Sequence, residues 1–231
     1  MEYKSVSIII QARSTSKRFP GKIFEKIGSK QILQHVLDAC LNSSSYINTM
    51  TNKHKIICGV ALAVPYNDVL IGAYQRHKII QGPEDDVLRR YQMAADELKS
   101  DYVVRITSDC PFIPPYIISR AINIAVQDKL DYLTNADPRF RTAPDGHDVE
   151  VLSKRMLSWL DETVKDPIHR EHVTTYLHEH LPPWAAKADI IGFFKNEKKL
   201  SVDTQEDIDR LRAEYQDLYY KVRSSPKSYR L

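Results

Sequence analysis

Glycine is scarce in this chain, with seven in 231 residues. Low-complexity linkers and glycine-rich repeats are thereby excluded, and each glycine that does occur becomes informative about the backbone around it. Cysteine is scarcer. Cys40, Cys58 and Cys110 are odd in number, none lies near another, and no Cys-x-x-Cys occurs, so neither a disulfide framework nor a thiolate zinc site is expected. Long apolar runs are also missing: Val60 to Pro65 is typical of the longest and is far too short to span a bilayer. The opening Met1-Glu2-Tyr3-Lys4 shows no secretory n-region or h-region, which sets the expectation of a cytoplasmic protein with no membrane partner. A strong charge of either sign is absent too. The net charge is +3, too weak a bias to recruit nucleic acid but compatible with an anionic small molecule.

What is present suits a packed core. Hydrophobic residues make up 42% and charged residues 27%, and the length favours one α/β domain spanning residues 1–231 over two small ones. Ser5 to Ala12 is a β-branched run of the kind buried on both faces of a parallel sheet. Ile32, Leu33, Val36, Leu37 and Cys40 recur at helical spacing, so Ser29 to about Leu41 reads as an amphipathic helix. The polar stretch Asn42 to Lys55 reads as a surface loop, and Lys55 to Val64 as a second buried strand. Tyr66 to His77 reads as helical, Ile79-Ile80 as a short strand ending at Gly82-Pro83, and Glu84 to Lys99 as a helix. Asp101 to Thr107 is a further strand, and Pro114-Pro115 opens the helix after it. The second half is less regular, with strands near Tyr132, Val149 and Ile190 and helices near Met156 and Val173. Leu200 to Asp203 reads as a short strand and Thr204 to about Tyr219 as the last helix. Thr204 and Asp207 resemble a capping box, and the tail 224–231 is polar and expected to be mobile.

Alternating strands and helices predict an open, mainly parallel sheet, in which ligands bind beyond the carboxyl ends of strands. The first such end carries four cations within ten residues, Arg13, Lys17, Arg18 and Lys22. Loop N–H groups with Arg and Lys heads are what a triphosphate requires, although charge alone reads more readily as a solvated loop. Gly21-Lys22 is followed by Ile23, so this is not a Walker loop. Asp109 follows the strand at Thr107, and Asp203 follows Leu200 to Val202. Each could help to hold Mg²⁺, which takes one or two carboxylates with phosphates, and each could equally be a turn or cap aspartate. His169, His172, His178 and His180 match neither HExxH nor a zinc finger, and Cys110 reads as a small buried hydrophobe.

Six segments in order carry a family resemblance: Gln11 to Lys22, Gly82 to Tyr91, Arg105 to Pro115, Asp145 to Val151, Asp166 to Tyr176 and Val202 to Asp207. Together they resemble the spore-coat polysaccharide cytidylyltransferases, relatives of the CMP-acid-sugar (ketodeoxyoctonate and neuraminate) synthetases, over about residues 5 to 218. The resemblance implies a Rossmann-like nucleotidyltransferase fold and transfer of CMP from CTP to a small anionic acceptor. That acceptor would be an acid sugar, a sugar phosphate or a phosphonate, with pyrophosphate released. It also implies a Mg²⁺ cofactor on Asp109 and Asp203, and a homodimer. Lys22, Arg13 and Asp109 would be catalytic. Ala12, Arg13, Ser16, Lys22, Gly82, Asp86, Arg90 and Arg105 would bind the nucleotide. The Asp145 to Glu150 segment would line the acceptor side and lie near the dimer interface. Arg139 and Arg141 on the loop just before it, with His147 and Asp148, are expected to hold the acceptor, because arginine forks match carboxylate and phosphate oxygens; the two arginines read equally as ordinary loop cations or contacts to the other subunit. Ser14-Thr15-Ser16-Lys17, Ser108, Pro83 and Arg89 depart from the family pattern. A nucleotide-sugar glycosyltransferase of related fold is the alternative, disfavoured because Thr107 stands where an Asp-x-Asp site would begin. A non-catalytic nucleotide-binding subunit is the third reading.

Overall fold

The computed structural model describes residues 3–16, 18–47, 55–190 and 198–217. Nine strands and seven α-helices order themselves as β1 (Tyr3–Gln11), β2 (Lys26–Ile27), β3 (Lys30–Gln31), α1 (Ile32–Ile47), β4 (Lys55–Pro65), α2 (Leu70–Ala73), β5 (Lys78–Gly82), α3 (Val87–Glu97), β6 (Tyr102–Thr107), α4 (Pro115–Gln127), β7 (Tyr132–Thr134), β8 (Glu150–Ser153), α5 (Lys154–Thr163), α6 (Pro167–His172), β9 (Lys187–Asp189) and α7 (Gln205–Ala213). Seven strands form one sheet in the order β5-β4-β1-β6-β8-β7-β9, and β2 and β3 make a separate small hairpin. The strands β5, β4, β1 and β6 run parallel, while β8 runs antiparallel to both of its neighbours.

The β-branched run of β1 explains the centre of the sheet. Ile8, Ile9 and Ile10 are all fully buried. Alternation sends Ile8 and Ile10 toward Leu33 and Val36 of α1 and Ile118 and Ala121 of α4. It sends Ile9 to the other face, with Leu88 and Tyr91 of α3 and Leu157 and Leu160 of α5. A strand covered on both faces needs apolar residues at every position, and each such side chain contributes about 1.5–3 kcal/mol of burial. A third, smaller cluster sets Ile27 and Ile32 against Val202, Ile208 and Leu211. It fastens α7 over the β2–β3 hairpin.

Four expectations change. The first helix starts at Ile32 because Lys26 to Gln31 pairs as a hairpin. It also continues to Ile47 rather than yielding to a loop at Asn42. There, Ser43 and Ser44 turn their hydroxyls back onto the carbonyls of Cys40 and Leu41, which lets polar residues stay helical. Tyr66 to His77 supplies only the one-turn helix α2, since Asp68 accepts the Leu70 N–H and bends the chain. Leu200 to Asp203 is not a strand: its N–H groups go to the Asp145 and Asp109 carbonyls. The end of the last helix at Tyr219 and the tail 224–231 lie outside the described residues, as do residues 48–54.

Candidate active site

Where β1 and β6 end, at Gln11 and Thr107, their loops diverge around a cleft of about 420 Å³. The first loop is closed by its own backbone. Gly21 donates its N–H to the Ser14 carbonyl at 2.9 Å, and it does so in the left-handed region at φ 72°, where glycine carries no Cβ penalty. Asp68 fastens the loop from outside by accepting the Ser14 N–H at 2.9 Å. Nothing in the sequence pattern pointed to Asp68.

This closure swings Lys22 inward. Its side chain is only 11% exposed, and Nζ donates to Asp109 Oδ2 at 2.8 Å, to the Val202 carbonyl at 2.6 Å and to Asp203 Oδ1 at 3.3 Å. One ammonium thus joins two carboxylates that are 94 residues apart in sequence. Arg18 reaches Asp203 from the open side at 2.8 Å and Lys199 from behind at 3.0 Å. Burial would raise the Asp203 pKa, but hydrogen bonds and charge from Lys199 and Lys22 outweigh it and hold the carboxyl below its ordinary value.

Close backbone packing delivers Asp203. Gly146, at φ 104°, lies so near the Leu200–Ser201 peptide that a Cβ would come within 2.6 Å of it. Leu200 N–H donates to the Asp145 carbonyl and Val202 N–H to the Asp109 carbonyl. The three loops bearing Asp109, Gly146 and Asp203 are therefore tied by main-chain bonds, and side-chain luck plays little part in the pairing. The donor set fits a divalent cation that arrives with phosphates. Two carboxylates already share one cation, and among the described residues no group of three His, Cys, Asp or Glu could cage a metal alone.

The remaining sequence-predicted residues divide. Ala12, Arg13, Ser16, Lys22, Arg90, Arg105, Asp109 and Asp203 all line the cleft; Gly82, Asp86, Arg139, Arg141, His147 and Asp148 do not line it. Gly82 is packed against the Arg90 side chain. Asp86 caps α3 and pairs with Arg170 at 2.8 Å. Arg139 is held by Asp137 through Nε and Nη2 at 3.0 and 2.7 Å, and Arg141 pairs with Asp148. His147 is 5% exposed, and burial first, then Arg141, lowers its pKa to about 4 despite a hydrogen bond with the Phe112 backbone. These arginines are spent on local ion pairs, so the acceptor loop expected from the sequence is not assembled at this cleft. Cys110 is buried and its thiol is pushed well up by that burial and by Asp109.

The cleft also has a wall that the sequence reading assigned no role. Glu171 and His172, at the end of α6, line it, and Glu171 pairs with Arg13 at 3.2 Å. The chain then turns within three residues. Thr174 N–H donates to the His172 carbonyl at 2.7 Å across Val173, which is fully buried at φ 63° and ψ −62°. This is a γ-turn of the rare, strained hand, on a β-branched residue. Strain of that kind persists where the surroundings over-determine it and concentrates at functional sites. The one available signal was the Asp166 to Tyr176 segment itself.

Fold and site together define an α/β nucleotide-site architecture, with cations and paired carboxylates at the ends of parallel strands. Residues 7–224 match the cytidylyltransferase family, and the chain belongs to it. It is 26% identical over 220 residues to the spore coat polysaccharide biosynthesis protein SpsF of Bacillus subtilis, covering 91% of this chain and 86% of that one. It is 25% identical over 223 residues to the 3-deoxy-manno-octulosonate cytidylyltransferase of Idiomarina loihiensis, covering 90% and 85%. Among solved structures, a cytidylyltransferase from Leptospira borgpetersenii superposes with a TM-score of 0.79 at 26% identity, over 97% of this chain and 96% of that one. Family and fold agree that this is an enzyme of the nucleotidyltransferase type. Among the described residues no helix is long and apolar enough to cross a membrane.

Proposed function

We propose that this protein transfers CMP from CTP to a small anionic sugar-type acceptor and releases pyrophosphate. The observation that carries the reading is the Lys22 ammonium set between Asp109 and Asp203, with Arg13 and Arg18 on the same cleft. Such a cluster is built for a polyanion that brings its own divalent cation. The names of the two relatives, one in coat polysaccharide biosynthesis and one a 3-deoxy-manno-octulosonate cytidylyltransferase, support a sugar acceptor.

In this reading the acceptor oxygen attacks the α-phosphorus in line, and the protein acts by positioning and charge neutralisation. Asp109 and Asp203 would hold Mg²⁺, which when bound activates the acceptor and neutralises leaving charge. Lys22 is drawn off the carboxylates onto the phosphates, where it stabilises charge that grows in the transition state. Arg13 leaves Glu171 for the same phosphates. Gly21 and Asp68 keep the loop closed throughout, so Arg13 and Lys22 stay on the cleft.

The test is pyrophosphate release from CTP, UTP, ATP and GTP across acid sugars, sugar phosphates and phosphonates. CTP with one anionic acceptor should turn over. Equal use of a purine triphosphate, or release with no acceptor preference, would refute the reading. A homodimer working in the cytoplasm is part of the proposal, and light scattering of the purified chain tests its first half.

A further inference from the structure

With Arg139 and Arg141 engaged elsewhere, the cleft itself must supply any guanidinium that reads the acceptor. Among the described residues five cations line it, and each has partners of its own. Arg13 pairs with Glu171, Arg18 with Asp203, and Lys22 with both site carboxylates. Arg90, 2% exposed, gives Nη1 to the Pro83 and Glu84 carbonyls and lies within electrostatic reach of Arg13, on the triphosphate side. Arg105 differs. Its Nη1 donates to Glu150 Oε2 at 2.7 Å, and although its buried Nε lacks a hydrogen-bond partner just as that of Arg90 does, its charged and titratable surroundings are Glu150, Tyr91 and Tyr132 rather than the basic loop.

We propose that Arg105 is the anion-binding residue for the acceptor, and that Glu150 is the positioning residue that holds it. This rests on the CMP-transfer reading and names the group that recognises the acceptor's carboxylate or phosphate. Glu150 does not simply neutralise Arg105. Its carboxylate also accepts from Tyr132 at 2.5 Å, Thr134 at 3.3 Å and Thr174 at 2.7 Å. The negative charge is therefore shared among four donors, and the Arg105 Nε is left without a hydrogen-bond partner. A planar fork matches a carboxylate or phosphate in a two-point contact that lysine cannot copy.

Thr174 gives the arrangement its second purpose. The same Glu150 oxygen that receives Arg105 receives the Thr174 hydroxyl, and Thr174 closes the strained turn that presents His172 and Glu171. One buried carboxylate therefore fixes both the anion-binding group and the polar wall beside it. A sugar acid has an anionic head and a hydroxylated body, and these two surfaces meet both.

The test separates acceptor from nucleotide by binding, with CTP and Mg²⁺ titrated first into each variant. The probes are 3-deoxy-manno-octulosonate, N-acetylneuraminate and glucose 1-phosphate, each beside a neutral sugar of similar size. They are titrated into protein saturated with α,β-methylene CTP, which cannot transfer CMP. Wild type should bind at least one anionic probe and not its neutral counterpart. Arg105→Gln should weaken that probe by about tenfold or more, the loss expected for a charged two-point contact, with CTP affinity kept within about twofold. Arg105→Lys, the milder change, should fall between, and it carries the comparison if the Gln variant does not fold. Glu150→Gln should weaken the anionic probe more than CTP, whereas a purely structural role would lower the melting temperature and leave relative affinities alone. Equal losses for CTP and probe would return Arg105 to the nucleotide and overturn the proposal. So would a wild type that binds CTP but does not tell anionic probes from neutral ones. A wild type that does not bind CTP would sink the CMP-transfer reading itself.

Discussion

Lys22→Ala is the most informative perturbation, because the structure sets its effects on stability, metal binding and turnover in different directions. In the free protein the Lys22 ammonium lies between Asp109 and Asp203 at 2.8 and 3.3 Å, with those carboxylates 26% and 19% exposed. Removing it leaves two negative charges that those distances keep within about 6 Å, repelling by ~1 kcal/mol if water screens them fully and ~3 kcal/mol at an effective dielectric constant of about 20. The Val202 carbonyl also loses its 2.6 Å donor, worth about 1 kcal/mol. A stability loss of about 2–4 kcal/mol in urea follows, and adding Asp203→Asn should recover part of it, since the two residues are coupled. The unoccupied carboxylates should bind Mn²⁺ alone more tightly than wild type does. Turnover should nevertheless fall by about a hundredfold or more, as when one preorganised donor to a developing charge is removed. Calorimetric melts with and without Mn²⁺ read the first two effects, and pyrophosphate release reads the third. A variant as stable as wild type with unchanged kcat would show that the bridge is a resting ion pair with no part in the reaction. A rise in the KM for CTP alone would show that Lys22 supplies uniform binding.

Three further outcomes are expected. Asp109→Asn and Asp203→Asn should each abolish most turnover, and the double variant should be little worse than either, because the pair acts as a unit; near-normal turnover in either single variant would refute the assignment. Gly146→Ala combines φ 104° with a Cβ 2.6 Å from the Leu200–Ser201 peptide, so it should cost about 2 kcal/mol or more and reduce activity by displacing Asp203; an unchanged melting temperature would contradict the close approach. His147 is neutral in the fold, with its pKa lowered from 6.5 to about 4. The unfolded chain therefore takes up the proton first, and stability present above pH 6.5 should decline as pH falls toward 4, by up to about 3 kcal/mol. Urea titrations across that range should flatten in His147→Gln, and a slope unchanged by the substitution would assign the titration to another group.

How much of this was legible in the sequence depended on whether a residue's partners were near it in the chain or implied by a pattern. Both central strands were readable, since β1 and β6 are largely buried and show it in the short apolar runs Ile8 to Ile10 and Tyr102 to Val104. Tyr66 to His77 misled because Leu70 and Tyr74 do reach the core at helical spacing, while the Asp68 carboxylate takes the Leu70 N–H and limits the helix to one turn. Leu200 to Asp203 looked like a strand because Leu200 and Val202 are apolar residues two apart, and both are buried. Its hydrogen bonds go to loops, and no local pattern shows that. Lys22, Asp109 and Asp203, which the structure brings into contact, were singled out through the order of family segments, although each alone reads as an ordinary loop charge.

The expected acceptor loop stands apart from the cleft for a simpler physical reason. Arg139 and Arg141 were read as two open forks, yet Asp137 stands two residues before one and Asp148 seven after the other. A carboxylate that close in sequence competes with any ligand at far higher effective concentration. The buried Glu150 inverts that lesson. It sits 45 residues from Arg105 and 24 from Thr174, and in sequence it is one acidic residue in a strand. Only the antiparallel pairing of β6 with β8 sets Arg105 opposite Glu150. Only the positive φ of Val173, which a β-branched residue resists, brings Thr174 to the same carboxylate. A contact assembled by register and by backbone strain leaves no periodic trace. The sequence could place Arg105, Glu150 and Thr174 in three separate family segments, but it could not join them.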